Sequence, residues 1–128
     1  MARAVFDASA VIALLRDEPG AEVVAGYAGE ALISAVNLQE VIKVLLADGV
    51  SEGVAREMLG PLGLDVRSHG LDEAWAAAGL YAVTKSRGSG LGDRSCMALA
   101  IAEGLPALTT DRAWNELAIA GLRVVLAR

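Results

Sequence analysis

Leu91-Gly92-Asp93-Arg94-Ser95-Cys96-Met97-Ala98-Leu99-Ala100 is a helical run built almost wholly of small and apolar residues. Apart from Asp93 and Arg94 it has no polar face, and a helix of that kind is buried on most of its sides. The rest of the chain therefore has to surround it. Asp93 falls in the first turn, where a carboxylate can simply accept hydrogen bonds from the unpaired N–H groups that open a helix. It carries chemistry only if other carboxylates converge on it.

Composition narrows what those surroundings can be. The chain has 128 residues, 55% of them hydrophobic, which suits one domain over residues 1–128 with a sizeable core. Every apolar run is cut by a charge (Asp17, Glu22, Lys43, Asp48, Arg94, Glu103) before it reaches the ~18 residues of a membrane span. Met1 to Asp7 reads as a strand, with no signal-peptide pattern, so a cytoplasmic location is expected. The lone Cys96 has no disulfide partner within the chain, and with the lone His69 it cannot supply the nitrogen and sulfur ligands of a zinc site. The net charge of −5 gives no general attraction to nucleic acid or an anionic membrane. Phosphate chemistry would then need a local basic patch or a bound cation.

Short β-branched runs alternate with helical patterns along the chain. A first strand ends at Asp7, and Ser9 or Asp7 caps a helix through Arg16 with Val11, Ile12, Leu14 and Leu15 apolar. Pro19-Gly20 turns into a short helix over Ala21 to Tyr27, and Ala31 to Ser34 is a second strand. Leu38, Val41, Ile42 and Leu45 recur at helical spacing in a long helix from Val36 to Asp48. Ser51 caps a helix ending at Leu59. Leu64 to Ser68 is a third strand, followed by an Ala-rich helix from Leu71 to Thr84 and a basic, glycine-containing loop, Lys85 to Gly90. The Asp93 helix ends at Gly104, a fourth strand runs from Ala107 to Thr109 or Thr110 and stops at Asp111, a last helix spans Arg112 to Ala120, and Arg123 to Leu126 is a fifth strand. Five strands separated by helices make an α/β fold whose mostly parallel sheet is covered on both faces.

That topology gives the carboxylates a common place. Ligands of open parallel sheets bind beyond the carboxyl ends of the strands. Asp7 and Asp111 directly follow strands one and four, and Glu40 is expected in the first turn of the helix after strand two. Asp93 joins them if its helix starts at the same edge. Each also has a structural role open to it: Asp7 and Asp111 as helix caps, Glu40 in a capping box with Asn37 or an ion pair with Lys43. Together, four carboxylates at one rim repel unless a cation sits among them. Oxygen ligands without His or Cys suit magnesium or manganese, which can activate a water and neutralise charge on a phosphodiester.

Phe6-Asp7-Ala8-Ser9-Ala10, Ile33-Ser34-Ala35-Val36-Asn37-Leu38-Gln39-Glu40-Val41, Leu91 to Ala100, and Leu108-Thr109-Thr110-Asp111-Arg112-Ala113-Trp114 resemble the successive motifs of PIN-domain proteins, and among these the VapC toxins of toxin–antitoxin pairs. The resemblance spans nearly the whole chain. It implies a PIN-like three-layer sandwich around a mostly parallel five-stranded sheet. It also implies a magnesium- or manganese-dependent endoribonuclease, usually dimeric, held in check by a VapB antitoxin. By motif, Asp7, Glu40, Asp93 and Asp111 would be the acidic metal-site residues, with Ser9 and Thr109 or Thr110 as hydrogen-bonding neighbours. Thr110 stands where the family often has a smaller or apolar residue.

Lys85, Arg87, Arg94 and Arg112 flank the acidic motifs and are the candidate RNA-binding cations. The first and third helices, and the Leu64 to Tyr81 region, carry more apolar residues than one sheet-facing stripe needs. That excess fits a dimer seam or a groove for another chain's amphipathic helix. Two other classes share parts of the pattern. A non-catalytic PIN-like scaffold would keep the fold without the chemistry. A phosphorelay receiver domain would need adjacent acids after strand one and a lysine after strand five, where this chain has a solitary Asp7 and Leu126-Ala127-Arg128.

Overall fold

Residue alternation on very short strands sorts the core into two halves. The computed structural model describes residues 1–128. It contains β1 (Ala4–Phe6), α1 (Ala8–Leu15), α2 (Ala21–Ala25), β2 (Ala31–Ser34), α3 (Ala35–Ala47), α4 (Glu52–Leu59), β3 (Asp65–Arg67), α5 (Leu71–Ala78), α6 (Tyr81–Thr84), α7 (Leu91–Glu103), β4 (Ala107–Thr109) and β5 (Val124–Leu126). Ala4, Phe6, Ala31, Ile33 and Leu108 point to one face and pack with Val11 of α1, Val24 of α2 and Val41 and Leu45 of α3. Val5, Leu32 and Ala107 point to the other and pack with Cys96, Met97 and Ala100 of α7 and with Trp114. The helix without a polar face is indeed enclosed: Ser95, Cys96, Met97, Ala98 and Ala100 are buried.

All four strand pairings are parallel, in the order β3-β2-β1-β4-β5. This is the α/β sandwich with a five-stranded central sheet. The chain lays down β1, β2 and β3 in one direction and then places β4 and β5 on the far side of β1. The reversal falls between β1 and β4, and the crevice beyond their carboxyl ends is where such sheets bind ligands. No helix is long and apolar enough to cross a membrane.

Several boundaries differ from the sequence reading, each for a local reason. Asp7, not Ser9, caps α1 by accepting from the Ala10 N–H, so Ser9 lies inside the helix. Ser34 caps α3, which starts at Ala35 and puts Glu40 in the second turn, so the capping box at Asn37 does not form. The Leu71 to Thr84 helix is interrupted at Gly79-Leu80, giving α5 and α6. The expected helix Arg112 to Ala120 shrinks to a 3-10 turn over Arg112–Glu116. Trp114, Leu117, Ile119 and Leu122 all pack into the second half of the core. One α-helix would turn Ile119 about 140° away from Trp114, so extended chain replaces it.

The apolar excess on α1 is largely absorbed, since Ile12, Leu14 and Leu15 pack against the first half of the core. On α3 it is not: Leu38, Ile42 and Leu46 line an open groove of about 490 Å³ with Ala55 and Leu59 of α4 and Leu64.

Gly20 joins the ends of the fold. Its φ is +98°, and a Cβ there would lie 2.7 Å from the backbone oxygen of Ala127. Both the backbone angle and the fixed carbonyl oppose a side chain. Gly20→Ala is expected to lower stability by about 2 kcal/mol, read as a lower urea midpoint at unchanged slope. An unchanged midpoint would mean the Ala127 segment moves aside freely.

Candidate active site

The site is assembled from Asp7 upward. Asp7 ends β1 and is 96% buried, with only 4% of its surface accessible. Three donors hold its carboxylate. The Ser9 hydroxyl donates to Oδ1 at 2.7 Å and lies 2.9 Å from Oδ2, the Ala10 N–H donates to Oδ1 at 2.9 Å, and the Thr109 hydroxyl donates to Oδ2 at 2.5 Å. The same hydroxyls accept from the neighbouring strand's exit loop: Ser9 Oγ from the Thr110 N–H, and Thr109 Oγ1 from the Asp111 N–H, both at 3.0 Å. The ends of β1 and β4 are thereby tied into one network. Thr109 and Ser9 take up the supporting places expected of them. Thr110 contributes its backbone N–H to that network.

Glu40 and Asp93 reach the crevice from helices on opposite faces of the sheet. Asn37, one turn before Glu40 on α3, donates from Nδ2 to Glu40 Oε1 at 3.0 Å and to the Gly92 carbonyl at 2.9 Å. A Cβ on Gly92 would fall 1.9 Å from Glu40 Oε1. Only a glycine at the opening of α7 leaves room for that carboxylate. Sequence reasoning treated Asn37 as a cap and missed this role. The available signal was its spacing of three residues before Glu40, which puts both on one side of a helix. Asp93 takes the bland role as well, since its Oδ2 accepts from the Gly90 N–H at 3.2 Å and opens α7. Its Oδ1, like Glu40 Oε2, has no protein donor. No ion pair joins Glu40 to Lys43; the ion pairs of the chain all lie elsewhere.

Asp111 stands at the exposed rim, its Oδ1 accepting from the Ala113 N–H at 3.0 Å. It is close enough to Asp93 that the two charges repel, and Asp93 repels Asp7 and Glu40 in turn. Burial pushes the Asp7 carboxyl up to about 6, against the lowering effect of Thr109, Ala10 and Ser9. Burial also raises Glu40 and Asp93, with the neighbouring carboxylates adding to it. The Cys96 thiol is pushed well above its ordinary value by burial and then by Asp7, Asp93 and Glu40. One thiol in the core thus feels three carboxylates, and at that value it is a packing group with no nucleophilic role.

The donor set is made of hard oxygens, with no nitrogen or sulfur among its free atoms. No three acidic side chains close into a ready ligand cage. An open set of this kind does not match calcium, which wants six to eight oxygens. It does match magnesium or manganese, which keep several waters and use one or two carboxylates directly.

Of the four cations expected near nucleic acid, Arg87 pairs with Glu116 at 3.4 Å and Arg112 donates to the Arg128 carbonyl. Lys85 is exposed on its turn. None of these three lines the clefts beside the carboxylates. Arg94 does, and so does Lys43, which the sequence reading had assigned only to Glu40.

A model of the PIN domain family matches residues 4–120. No protein of curated function matches the sequence. Among solved structures, the fold is similar to that in a DNA-bound VapBC from Salmonella typhimurium, with 18% identity, TM-score 0.70 and full coverage of both chains. It is also similar to one in a toxin–antitoxin complex from Klebsiella pneumoniae (20% identity, TM-score 0.74, 98% of each chain). A third is VapBC-5 from Mycobacterium tuberculosis, at 20% identity and TM-score 0.60 over 98% of this chain and 99% of that one. At these identities the likeness is one of fold.

Two measurements test the geometry. Because Asp7 in the fold holds its proton up to about 6 while an unfolded aspartate releases it near 3.8, the native state binds the extra proton between those values. Stability conferred in acid is therefore lost as pH rises through that window, by about 3 kcal/mol. In chelator, Asp7→Asn should gain on wild type by about 2 kcal/mol of that between pH 4.5 and 7.5, the remainder being lost below pH 4.5; a constant difference would place Asp7 in water. Gly92→Ala should leave the melting temperature nearly unchanged, because the helix gain of about 1 kcal/mol offsets the swing of Glu40. The Asn37 side-chain amide resonances should shift as their bond to Glu40 is lost, and unshifted resonances would refute the close approach.

Proposed function

The chain belongs to the PIN domain family, and from that premise we propose that it is a metal-dependent endoribonuclease, the toxin of a VapBC-type pair. The observation that carries this reading is the grouping of Asp7, Glu40 and Asp111 around Asp93, each close enough to interact with its charge, beyond the carboxyl ends of β1 and β4. Asp93 repels both Asp7 and Glu40, Lys43 and Arg94 offset the charge only in part and from outside any ion pair, and a cation bound among the acids would stabilise the group. The intact acidic set also favours an enzyme over a non-catalytic scaffold. On this reading residues 1–128 act as one such domain, working on RNA in the cytoplasm.

Asp7, Glu40, Asp93 and Asp111 would hold the magnesium or manganese ion. When bound, such an ion supplies activation of a water and neutralisation of the charge that develops on the phosphodiester. The chain's own residues prepare the rest. Ser9, Thr109 and the Ala10 N–H fix the orientation of Asp7. Asn37 fixes Glu40 through Oε1 and leaves Oε2 without a protein partner. Glu40 Oε2 and Asp93 Oδ1, on carboxylates whose proton affinity burial has raised, are the atoms suited to take a proton from the attacking water.

The three solved structures cited above come from toxin–antitoxin systems, which supports a VapB-type antitoxin as partner; a dimeric toxin follows from the motif resemblance alone. The groove between α3 and α4 fits such a partner's amphipathic helix, with Leu38, Ile42, Leu46 and Leu59 as its apolar floor. A basic side chain following that helix would meet the carboxylates and compete with the metal.

Purified protein should cut RNA with manganese and not with chelator. Manganese should also raise the melting temperature by mass action. Asp93→Asn should lower cleavage at least a hundredfold and largely lose the thermal shift. An equal shift in both proteins would refute a shared metal site, and metal-independent cutting would refute the mechanism.

A further inference from the structure

Beside the carboxylates, two clefts form one path. The first, about 440 Å³, contains Glu40, Lys43 and Asp93; the second, about 560 Å³, contains Tyr81, Arg94 and His69. They share Val36, Gln39 and Leu91, so the two clefts adjoin and a chain lying at Glu40 and Asp93 reaches the second by passing over these residues. The back of that cleft is made of Ala74, Ala77 and Ala78 of α5, small residues that leave depth for a flat group.

Charge and chemistry then say what fits. Of eleven lysines and arginines, Arg3, Arg16, Arg56, Arg67 and Arg87 are in ion pairs. Lys43 and Arg94 are in none, and they line this path. Arg94 uses one N–H, from Nη1 to the Ser89 carbonyl at 2.8 Å, and keeps its other donors. Its guanidinium lies 5.6 Å from the centre of the Tyr81 ring, and Tyr81 is 57% exposed. A positive, planar, aromatic-backed surface in an otherwise acidic protein is matched by a nucleotide: phosphate for the guanidinium, base for the π faces. An apolar partner helix would leave Arg94 unpaired.

Resting on the nuclease reading above, we propose that this cleft is a subsite for the single-stranded nucleotide next to the phosphate that is cut. Arg94 holds that nucleotide's phosphate, the Tyr81–Arg94 pair stacks its base, and Lys43 holds the phosphate on the other side of Glu40.

The test uses fluorescein-labelled U10 and a ten-residue abasic ribose-phosphate chain, with anisotropy read in chelator across a salt series. Wild type should bind U10 roughly tenfold tighter than the abasic chain. Tyr81→Ala should abolish that preference and Tyr81→Phe should keep it. Arg94→Gln and Lys43→Gln should each weaken both ligands and flatten the log–log salt slope by about 0.7. If wild type cuts RNA with manganese while Tyr81→Ala and Arg94→Gln bind as wild type does, the subsite is overturned and the nuclease reading stands. If wild type neither cuts nor binds, both fall. If Tyr81→Ala splits a dimer while affinity per chain is unchanged, the cleft is a seam between two copies and the subsite is overturned.

Discussion

The structure turns on a buried carboxylate. Asp7 lies at the carboxyl end of the central strand, where the sheet order reverses, and is enclosed with no basic group against it. A carboxylate in that position is tolerable only with its oxygens fully hydrogen-bonded or with its proton retained. The chain uses both solutions. Two hydroxyls and a helix N–H surround it, and burial still raises its proton affinity. Those hydroxyls are shared with the exit of β4, so the network that makes Asp7 tolerable also joins the two strands at the reversal. Asp7 caps α1 with the same Oδ1. One group therefore sets a helix start, a strand seam and the electrostatic character of the crevice.

The second coupling runs across the sheet. α3 and α7 cover opposite faces, and no direct packing through the sheet could register one against the other. Their contact is made beyond its edge, by the Asn37 amide bridging Glu40 and the Gly92 carbonyl. The amide orientation follows from chemistry: both partners are acceptors, so the NH2 group must face them. Asn37 Oδ1 is then left buried without a donor. An unsatisfied buried carbonyl costs about 1–3 kcal/mol. The amide's two donors are thus spent on Glu40 and the Gly92 carbonyl, the contacts that set the crevice.

How much of this was legible follows the range of the interactions. Strand β2 and the ends of α4 and α7 were read correctly because each is set by local signals: a short apolar run ending at Ser34, Ser51 as a cap, Gly104 in a left-handed turn. The errors arose where distant packing overrode the local pattern. Arg112 to Ala120 has helical composition, but Trp114, Leu117, Ile119 and Leu122 must all reach one core. Glu40 looked like the acid of a capping box because its spacing to Asn37 is right for one; that Ser34 caps α3 was hidden because the strand runs directly into it. The four acidic residues were legible by position in the topology. Their supports were legible only in part, since Thr109 meets Asp7 across 102 residues of chain.

On the nuclease reading proposed above, an acidic protein needs its positive charge in the right place more than in quantity. Pairing elsewhere supplies part of this. Arg3, Arg16, Arg56, Arg67 and Arg87 are each held by a carboxylate on the surface, and a paired surface arginine adds little stability but also offers little field. The carboxylates of the crevice have no such partners, and neither do the two cations that line its walls. Unpaired charge of both signs thus meets where α3, α7 and the reversal of the sheet come together. A cation can settle among the acids, and a phosphate chain can approach along Lys43 and Arg94 without competing for the same side chains. Reversing the arrangement, with Lys43 bonded to Glu40 and Arg94 to Asp93, would satisfy the isolated fold better and leave the crevice inert.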